Sequence, residues 1–459
     1  MAVEAPELLI SLGLVQLLVW AFCCLQVYQG WRLPIYHPTS VFLAYYFVGW
    51  VLRPFAIVTA GGSPVWDFVG TDPTGFDAVY GATMGIMALL SFCYGPILVW
   101  PDIYKQRDIP ERRLEIGAPA GFAICAIILV VLGAIGTSQV VAFSTTVVHS
   151  FKTVYLETGG QALVGTSGYL TMSSRYLLLM ACILIAIYRK LSIIILVTVA
   201  FVAFRFYVGA GRAEFVALVA VLLLVMMVRA KMTVLPWQTI VPILGLFWVF
   251  DFLGGNRLAF RRLIAGDTSF GDLVSSYLDN RGDGFGTSDF QEFDTGVSTI
   301  RAVHDLDGFN WGVQYLRLFI WPIPRQIWPD KPVETDLIPF QSVGNFQVIT
   351  RSMVGDLYSN FGPLAVIIGA ILVAVSCVWI YRRMAESPSA VFYISALTFY
   401  SSLPIYFRNS FVPVLYEVLV CLPATILIVW LGKIRFAPAD QPVKPIAEPA
   451  GALLRPVTG

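Results

Sequence analysis

Apolar runs about twenty residues long recur along nearly all of this 459-residue chain, and no other feature restricts its fold so tightly. A helix rises ~1.5 Å per residue, so ~20 apolar residues cross a hydrocarbon core ~30 Å thick. Measured with that ruler, spans fall at 7–28, 39–60, 76–99, 117–138, 168–188, 191–209, 213–229, 234–254, 358–380, 389–406 and 410–432. The expected fold class is therefore an all-α polytopic membrane protein of about eleven transmembrane helices. Composition agrees: only 13% of residues are charged, against about a quarter in soluble globular proteins.

The spans divide the chain into residues 1–254 with eight helices, a large loop at 255–357, three more helices over 358–435, and a Pro/Ala-rich tail at 436–459 that reads as disordered. The N-terminus, "MAVEAPELLISLGL", has no basic segment before its apolar run, so it reads as an uncleaved first helix. Lysine and arginine in short loops fix orientation. "YKQRDIPERR" (104–113) is the most basic short loop, and span counting puts "YRK", "VRAK", "YRRM" and "GKIR" on its side. That side should be cytoplasmic, which places the N-terminus and the large loop outside and the C-terminus inside.

The large loop mixes acids with many arginines. "FGDLVSSYLDN" and "FQEFDTGVSTIRAVHDL" have helical spacing, and "WGVQYLRLFIWPIP" reads as a helix lying in the interface, stopped by its prolines. The next stretch, "WPIPRQIWPDKP" (321–332), would hold Arg325 and Lys331 rigidly at headgroup depth. A plain interfacial anchor is the simpler alternative. Arg53, Arg175 and Arg205 interrupt apolar spans, each in the outer half, and Arg212 and Arg408 sit in short outer turns. Arginine within a span costs roughly 2.5–3.5 kcal/mol on insertion scales, so it normally faces protein or water. Snorkelling to lipid headgroups is the alternative. A diphosphate held at the outer face would account for the whole set, because guanidinium forks match its oxygens. In "VGAGRAEF" (208–215) two glycines give a tight turn that presents Arg212, with Glu214 two residues on. An Arg–Glu pair capping a helical hairpin is the alternative there.

Three places resemble the Wzy-type oligosaccharide repeat-unit polymerases: "GAGRAEF", "IPRQIWPDKP" (323–332) and "MVGDLYSNFGPLAVIIGAIL" (353–372). With the span pattern the likeness covers about residues 30–435, although the turn reads Ala-Gly-Arg where the family usually has Ser-Arg. The resemblance implies a metal-independent, GT-C-like helical architecture in the bacterial cytoplasmic membrane. It implies transfer of a growing glycan from an undecaprenyl diphosphate carrier to a new lipid-linked repeat unit at the outer face. Membrane lipid, and a chain-length regulator and flippase of the same pathway, are the implied partners. No cofactor and no nucleic acid are expected.

That reaction needs cations that tighten on the departing diphosphate and a base for the acceptor hydroxyl. Arg212, Arg325 and Lys331 are the candidate cations, with Arg205 and Arg281 behind them. Glu214 is the first candidate for the base, ahead of Asp330, Asp356 and His304, and His304 reads first as a solvated helix residue. Asp330 and Tyr358 are further candidates for substrate contact. "DNRGDGFGTSDF" (279–290) lacks calcium-loop spacing, and no metal is assigned. An O-antigen ligase would use the same donor with another acceptor. A lipid-linked oligosaccharide flippase is the rival from a different class, but transporters carry broken helices with charges at mid-depth. The sequence shows no repeat and no mid-depth acid on this reading.

Overall fold

The computed structural model describes residues 6–70, 73–105, 112–147, 173–188, 213–229, 268–279, 291–306, 308–320, 323, 327–328, 351–408 and 411–437. Among them, five helices are long and apolar enough to cross a membrane: Pro6–Gly30, Pro38–Ala60, Gly75–Val99, Pro119–Thr137 and Pro363–Glu386. Shorter apolar helices accompany them at Arg175–Ile187, Ala217–Arg229, Ala390–Ser401 and Glu417–Gly432. The protein is a multi-pass helical membrane protein. The spans expected at 191–209 and 234–254 lie outside the described residues.

We number the elements α1 (Pro6–Leu25), α2 (Pro38–Tyr46), α3 (Leu52–Ala60), α4 (Pro64–Val69), α5 (Gly75–Val99), β1 (Leu114–Ile116), α6 (Pro119–Val147), α7 (Arg175–Ile187) and α8 (Ala213–Arg229). They continue as α9 (Phe270–Asp279), α10 (Glu292–Asp305), α11 (Val313–Ile320), α12 (Ser352–Phe361), α13 (Pro363–Glu386), α14 (Ala390–Ser401), α15 (Leu403–Arg408), α16 (Phe411–Gly432) and β2 (Ile434–Phe436). A π turn at Phe47–Val51 joins α2 to α3 into one span.

Local signals set the helix ends. Pro38 occupies the first turn of α2, and the His37 ring nitrogen Nδ1 accepts from the Thr39 amide. Thr74 and Asp77 form a reciprocal capping box at the start of α5. Gly362, at φ 69° and ψ −151°, breaks α12 from α13 in a conformation that only glycine adopts readily. The span expected at 358–380 therefore begins at Pro363 and runs to Glu386.

The basic loops gather at one face. β1 pairs antiparallel with β2, joining the 104–116 connection to the end of α16. Arg112 donates to the Ser387 carbonyl, and the Arg382 guanidinium lies 4.3 Å from the Trp100 ring centroid. Arg229 donates to the carbonyls that end α7, 3.0 Å from Ile185 O and 3.3 Å from Ala186 O. These contacts put the loops chosen for their basic residues on the same side. The start of α1, the end of α3 and the starts of α5 and α13 lie at the opposite, distal face.

The largest departure from the hydropathy reading is α10. Its sequence, "EFDTGVSTIRAVHD", is polar, yet Glu292 to Ile300 are all buried. It packs against α5, α12 and α4 rather than standing outside the bundle. Small residues make this possible: a Cβ added at Gly296 would lie 2.9 Å from the Trp50 ring, and one at Gly355 would lie 3.2 Å from Thr299. Helices approach closely where such residues meet, and short hydroxyls bond their own backbone. Thr295 and Thr299 do so, donating at 2.8 and 2.7 Å to the carbonyls of Gln291 and Thr295.

Gly296 faces Ser352, Gly355 faces Thr299, and His304 meets Tyr358, so α10 and α12 run in parallel. Glu292 abuts Gly49, which is three turns below the end of α3, or about 16 Å at ~1.5 Å per residue. Both helices thus start near mid-depth in a core of ~30 Å and end at the distal face. They are half-helices. Hydropathy did not place them inside the bundle because α10 meets most of its polar groups within the protein instead of presenting an apolar face to lipid.

Candidate functional site at the distal face

The inner end of the half-helix pair is built on charge. Arg53 donates to Asp294 through Nε at 3.0 Å and Nη2 at 2.7 Å, and the two side chains are 3% and 0% exposed. Ser63 adds a hydrogen bond of 2.5 Å to Asp294 Oδ2. Arg53 therefore does not snorkel: it neutralises an acid carried into the bundle by α10. Two residues earlier, Glu292 accepts from the Tyr45 hydroxyl. Acids in the first turn of α10 also face the positive end of its helix dipole.

A second internal pair joins α7 to α16. Arg175 Nη1 stands 3.7 Å from Glu417 Oε1, and the Ser402 hydroxyl donates to Glu417 Oε2 at 3.3 Å. Glu417 is buried among apolar residues of its span. The sequence reading missed Glu292, Asp294 and Glu417 as acids at membrane depth. Glu417 was visible as a charge inside "FVPVLYEVLVCLPATILIVW", the same signal that drew attention to Arg175. For α10 the signal was small residues at helical spacing behind two acids.

The outer end of the pair forms a polar and aromatic mouth. His304 Nε2 and the Tyr358 hydroxyl are 2.8 Å apart, with His304 exposed and Tyr358 buried. Tyr80 lies against both, its ring centroid 5.8 Å from His304 and 5.9 Å from Tyr358. Phe309, Trp311 and Phe361 continue the aromatic surface edge to face. Arg301 bridges Asp305 at 3.1 Å and Asp77 at 3.4 Å beside them. His304, expected as a solvated helix residue, is solvent-facing but bonded across to the neighbouring half-helix.

On α11 itself, Gln314 accepts from Arg351 at 2.7 Å and donates to Asp356 at 2.7 Å. Asp356, a candidate base in the sequence, is thus buried and engaged in anchoring α11 to α12. Burial also pushes the Tyr315 hydroxyl above its ordinary value, the nearby Asp356 charge adding to the effect. Leu316, Phe319 and Trp311 face outward from this segment, as a helix lying in an interface requires.

Among the residues singled out in the sequence, the structure places the Tyr358 and His304 side chains together in this mouth. Glu214 lies in the first turn of α8, with its side chain outside the described part. Arg205, Arg212, Arg281, Arg325, Asp330 and Lys331 lie outside the described residues. Among the described residues no group of three or more His, Cys, Asp or Glu side chains is placed to hold a metal ion. No protein-family model matches the chain, and neither curated proteins nor solved structures give a match.

Proposed function

We propose that this protein is a membrane glycosyltransferase of about eleven transmembrane helices, GT-C-like in architecture. It would move a growing glycan from undecaprenyl diphosphate to a new lipid-linked repeat unit, as the polymerases it resembles do. The observation that carries the reading is the mouth around Tyr358 and His304. The segment whose sequence resembles those polymerases, 353–372, folds as a half-helix, a glycine break and a span, and delivers Tyr358 to a mixed aromatic and charged surface. Sugars pack their C–H faces on rings while charged and hydroxyl groups bond their oxygens. The mouth also lies opposite the basic loops, on the face that the positive-inside rule assigns to the outside.

In this mechanism the acceptor hydroxyl oxygen attacks the anomeric carbon as the bond from that carbon to the diphosphate oxygen breaks. Glu214 takes the hydroxyl proton. Arg212 and Arg325 stabilise the departing diphosphate, with Lys331, Arg205 and Arg281 around them and Asp330 and Tyr358 on the glycan. No nucleotide sugar exists outside the cytoplasm, so the lipid diphosphate is the leaving group. The product stays lipid-linked in the bacterial cytoplasmic membrane, where the flippase and chain-length regulator of the pathway would meet it.

A transporter is the second reading, and a specific observation favours it: two half-helices begin near mid-depth with Glu292 and Asp294 at one inner end. One experiment separates the two. Purified protein in vesicles is given a lipid-diphosphate-linked repeat unit, and products are scored as a ladder on a gel. A ladder from wild type that is lost in properly inserted Arg212→Ala and Arg325→Ala supports polymerisation. Absence of a ladder, with movement of lipid-linked sugar between leaflets, rejects it in favour of transport.

A further inference from the structure

The two acids at the inner end of α10 are unequally provided for. Asp294 has a bidentate guanidinium and a serine hydroxyl. Glu292 is 1% exposed, and the Tyr45 hydroxyl is at one of its oxygens. Its other oxygen, Oε2, is buried without a hydrogen-bond partner and rests against Gly49, where the π turn of the α2–α3 span leaves no side chain between them. The titratable and charged groups facing it are Tyr45 from α2, Arg53 from α3, Asp294 from its own helix and Arg408 from α15. Arg53 is committed to Asp294, and no guanidinium nitrogen comes within 4.0 Å of the Glu292 carboxyl among the described residues.

We infer that Glu292 is a proton-binding site in the membrane interior, and that its proton keeps the inner end of the half-helix pair seated in the bundle. Buried carboxylates persist ionised only when paired and fully hydrogen-bonded, and otherwise hold a proton. The neutral acid suits this geometry. The carboxylate accepts from the Tyr45 hydroxyl at Oε1; in the neutral acid that bond reverses, Oε1–H donating to the tyrosine oxygen, and Oε2 becomes a carbonyl, which tolerates the lack of a donor better than a carboxylate oxygen does. Loss of the proton would leave two carboxylates two residues apart, with Arg53 engaged by Asp294 and Arg408 acting on Glu292 only from beyond ion-pair distance. The inference is independent of whether the protein polymerises or transports.

The test uses the full-length protein in vesicles near neutral pH. Infrared difference spectra in H2O and D2O should show a protonated-carboxyl carbonyl band that is lost in Glu292→Gln. Tyr45→Phe removes its hydrogen-bond partner and should shift the band, so a poorly folding Glu292→Gln does not end the test. The linkage has a definite sign: a folded state that holds the proton loses stability as pH rises. The unfolding midpoint of wild type should accordingly fall relative to Glu292→Gln between pH about 5 and about 9. A carboxyl band untouched by both substitutions, or unfolding midpoints that run parallel across that range, overturns the inference.

Discussion

Arg53 grips Asp294 from a helix that shares no sequence neighbourhood with it: the Nη2 to Oδ2 distance is 2.7 Å, and both side chains are buried. The pair locks a polar half-helix into an apolar bundle. Its strength lies less in net stabilisation than in what remains if one partner goes, because an orphaned charge at that depth has no water.

Arg53→Met should therefore destabilise the protein by about 3–5 kcal/mol, read as a fall in unfolding temperature in detergent. Arg53→Lys should recover only part of this, because a lysine cannot reproduce the two-pronged contact with Asp294. The double variant Arg53→Met, Asp294→Leu should be more stable than either single change. A double variant whose loss equals the sum of the two single losses would mean that the two side chains act separately.

Gly296 and Gly355 permit the close parallel approach of α10 and α12. A side chain at 296 meets the Trp50 ring, and one at 355 meets Thr299. Gly296→Leu should cost about 3 kcal/mol or more, at the upper end of overpacking penalties. Gly355→Ala should cost roughly 1 kcal/mol, since the Thr299 side chain can give slightly. Thermal unfolding of both variants checks the ranking, and a larger loss from the alanine would show that another contact governs the interface.

The described spans were legible because each presents a long apolar stretch, and the short-loop lysines and arginines matched the side on which β1 and β2 meet. Helical spacing in "FQEFDTGVSTIRAVHDL" was legible, but the depth of the half-helices inside the bundle was not. Hydropathy averages over a window, and "EFDTGVSTIRAVHD" fails that average while its hydroxyls, Arg53 and Tyr45 satisfy it internally. Arg53 was visible as a charge within a span, but its partner lies 241 positions away, and one sequence carries no signal for that pairing. At the mouth, Tyr358 was singled out through a resemblance, whereas its contact with His304 follows from the parallel packing alone.

His37 gives a pH prediction at the basic face. Its Nδ1 accepts from the Thr39 amide, so Nε2 carries the ring hydrogen, among the Tyr104 and Tyr381 rings. Burial pushes the imidazole down to about 3, whereas an unfolded histidine titrates near 6.5. The unfolded chain then binds the extra proton first, so stability is full above about 6.5 and falls with acidification by up to about 1.4 kcal/mol per pH unit. His37→Asn keeps a capping acceptor for Thr39 and removes the titration. Its unfolding temperature should fall less than that of wild type between pH 7 and pH 5. Identical slopes would remove His37 as the cause.

Tyr358→Phe tests the mouth itself. The ring packs against Tyr80 and Phe309, so phenylalanine preserves the apolar contacts and deletes only the hydroxyl bonded to His304. A single hydrogen bond of this kind contributes about 0.5–1.5 kcal/mol, so the variant should fold and insert normally. If the mouth holds the glycan, turnover should drop at least about tenfold, equivalent to about 1.4 kcal/mol of lost transition-state stabilisation. His304→Ala should produce a comparable loss, and the double variant should add little, because both changes break the same contact. A Tyr358→Phe protein that builds a wild-type ladder would place the sugar elsewhere and reduce the Tyr358–His304 bond to a clasp between two half-helices.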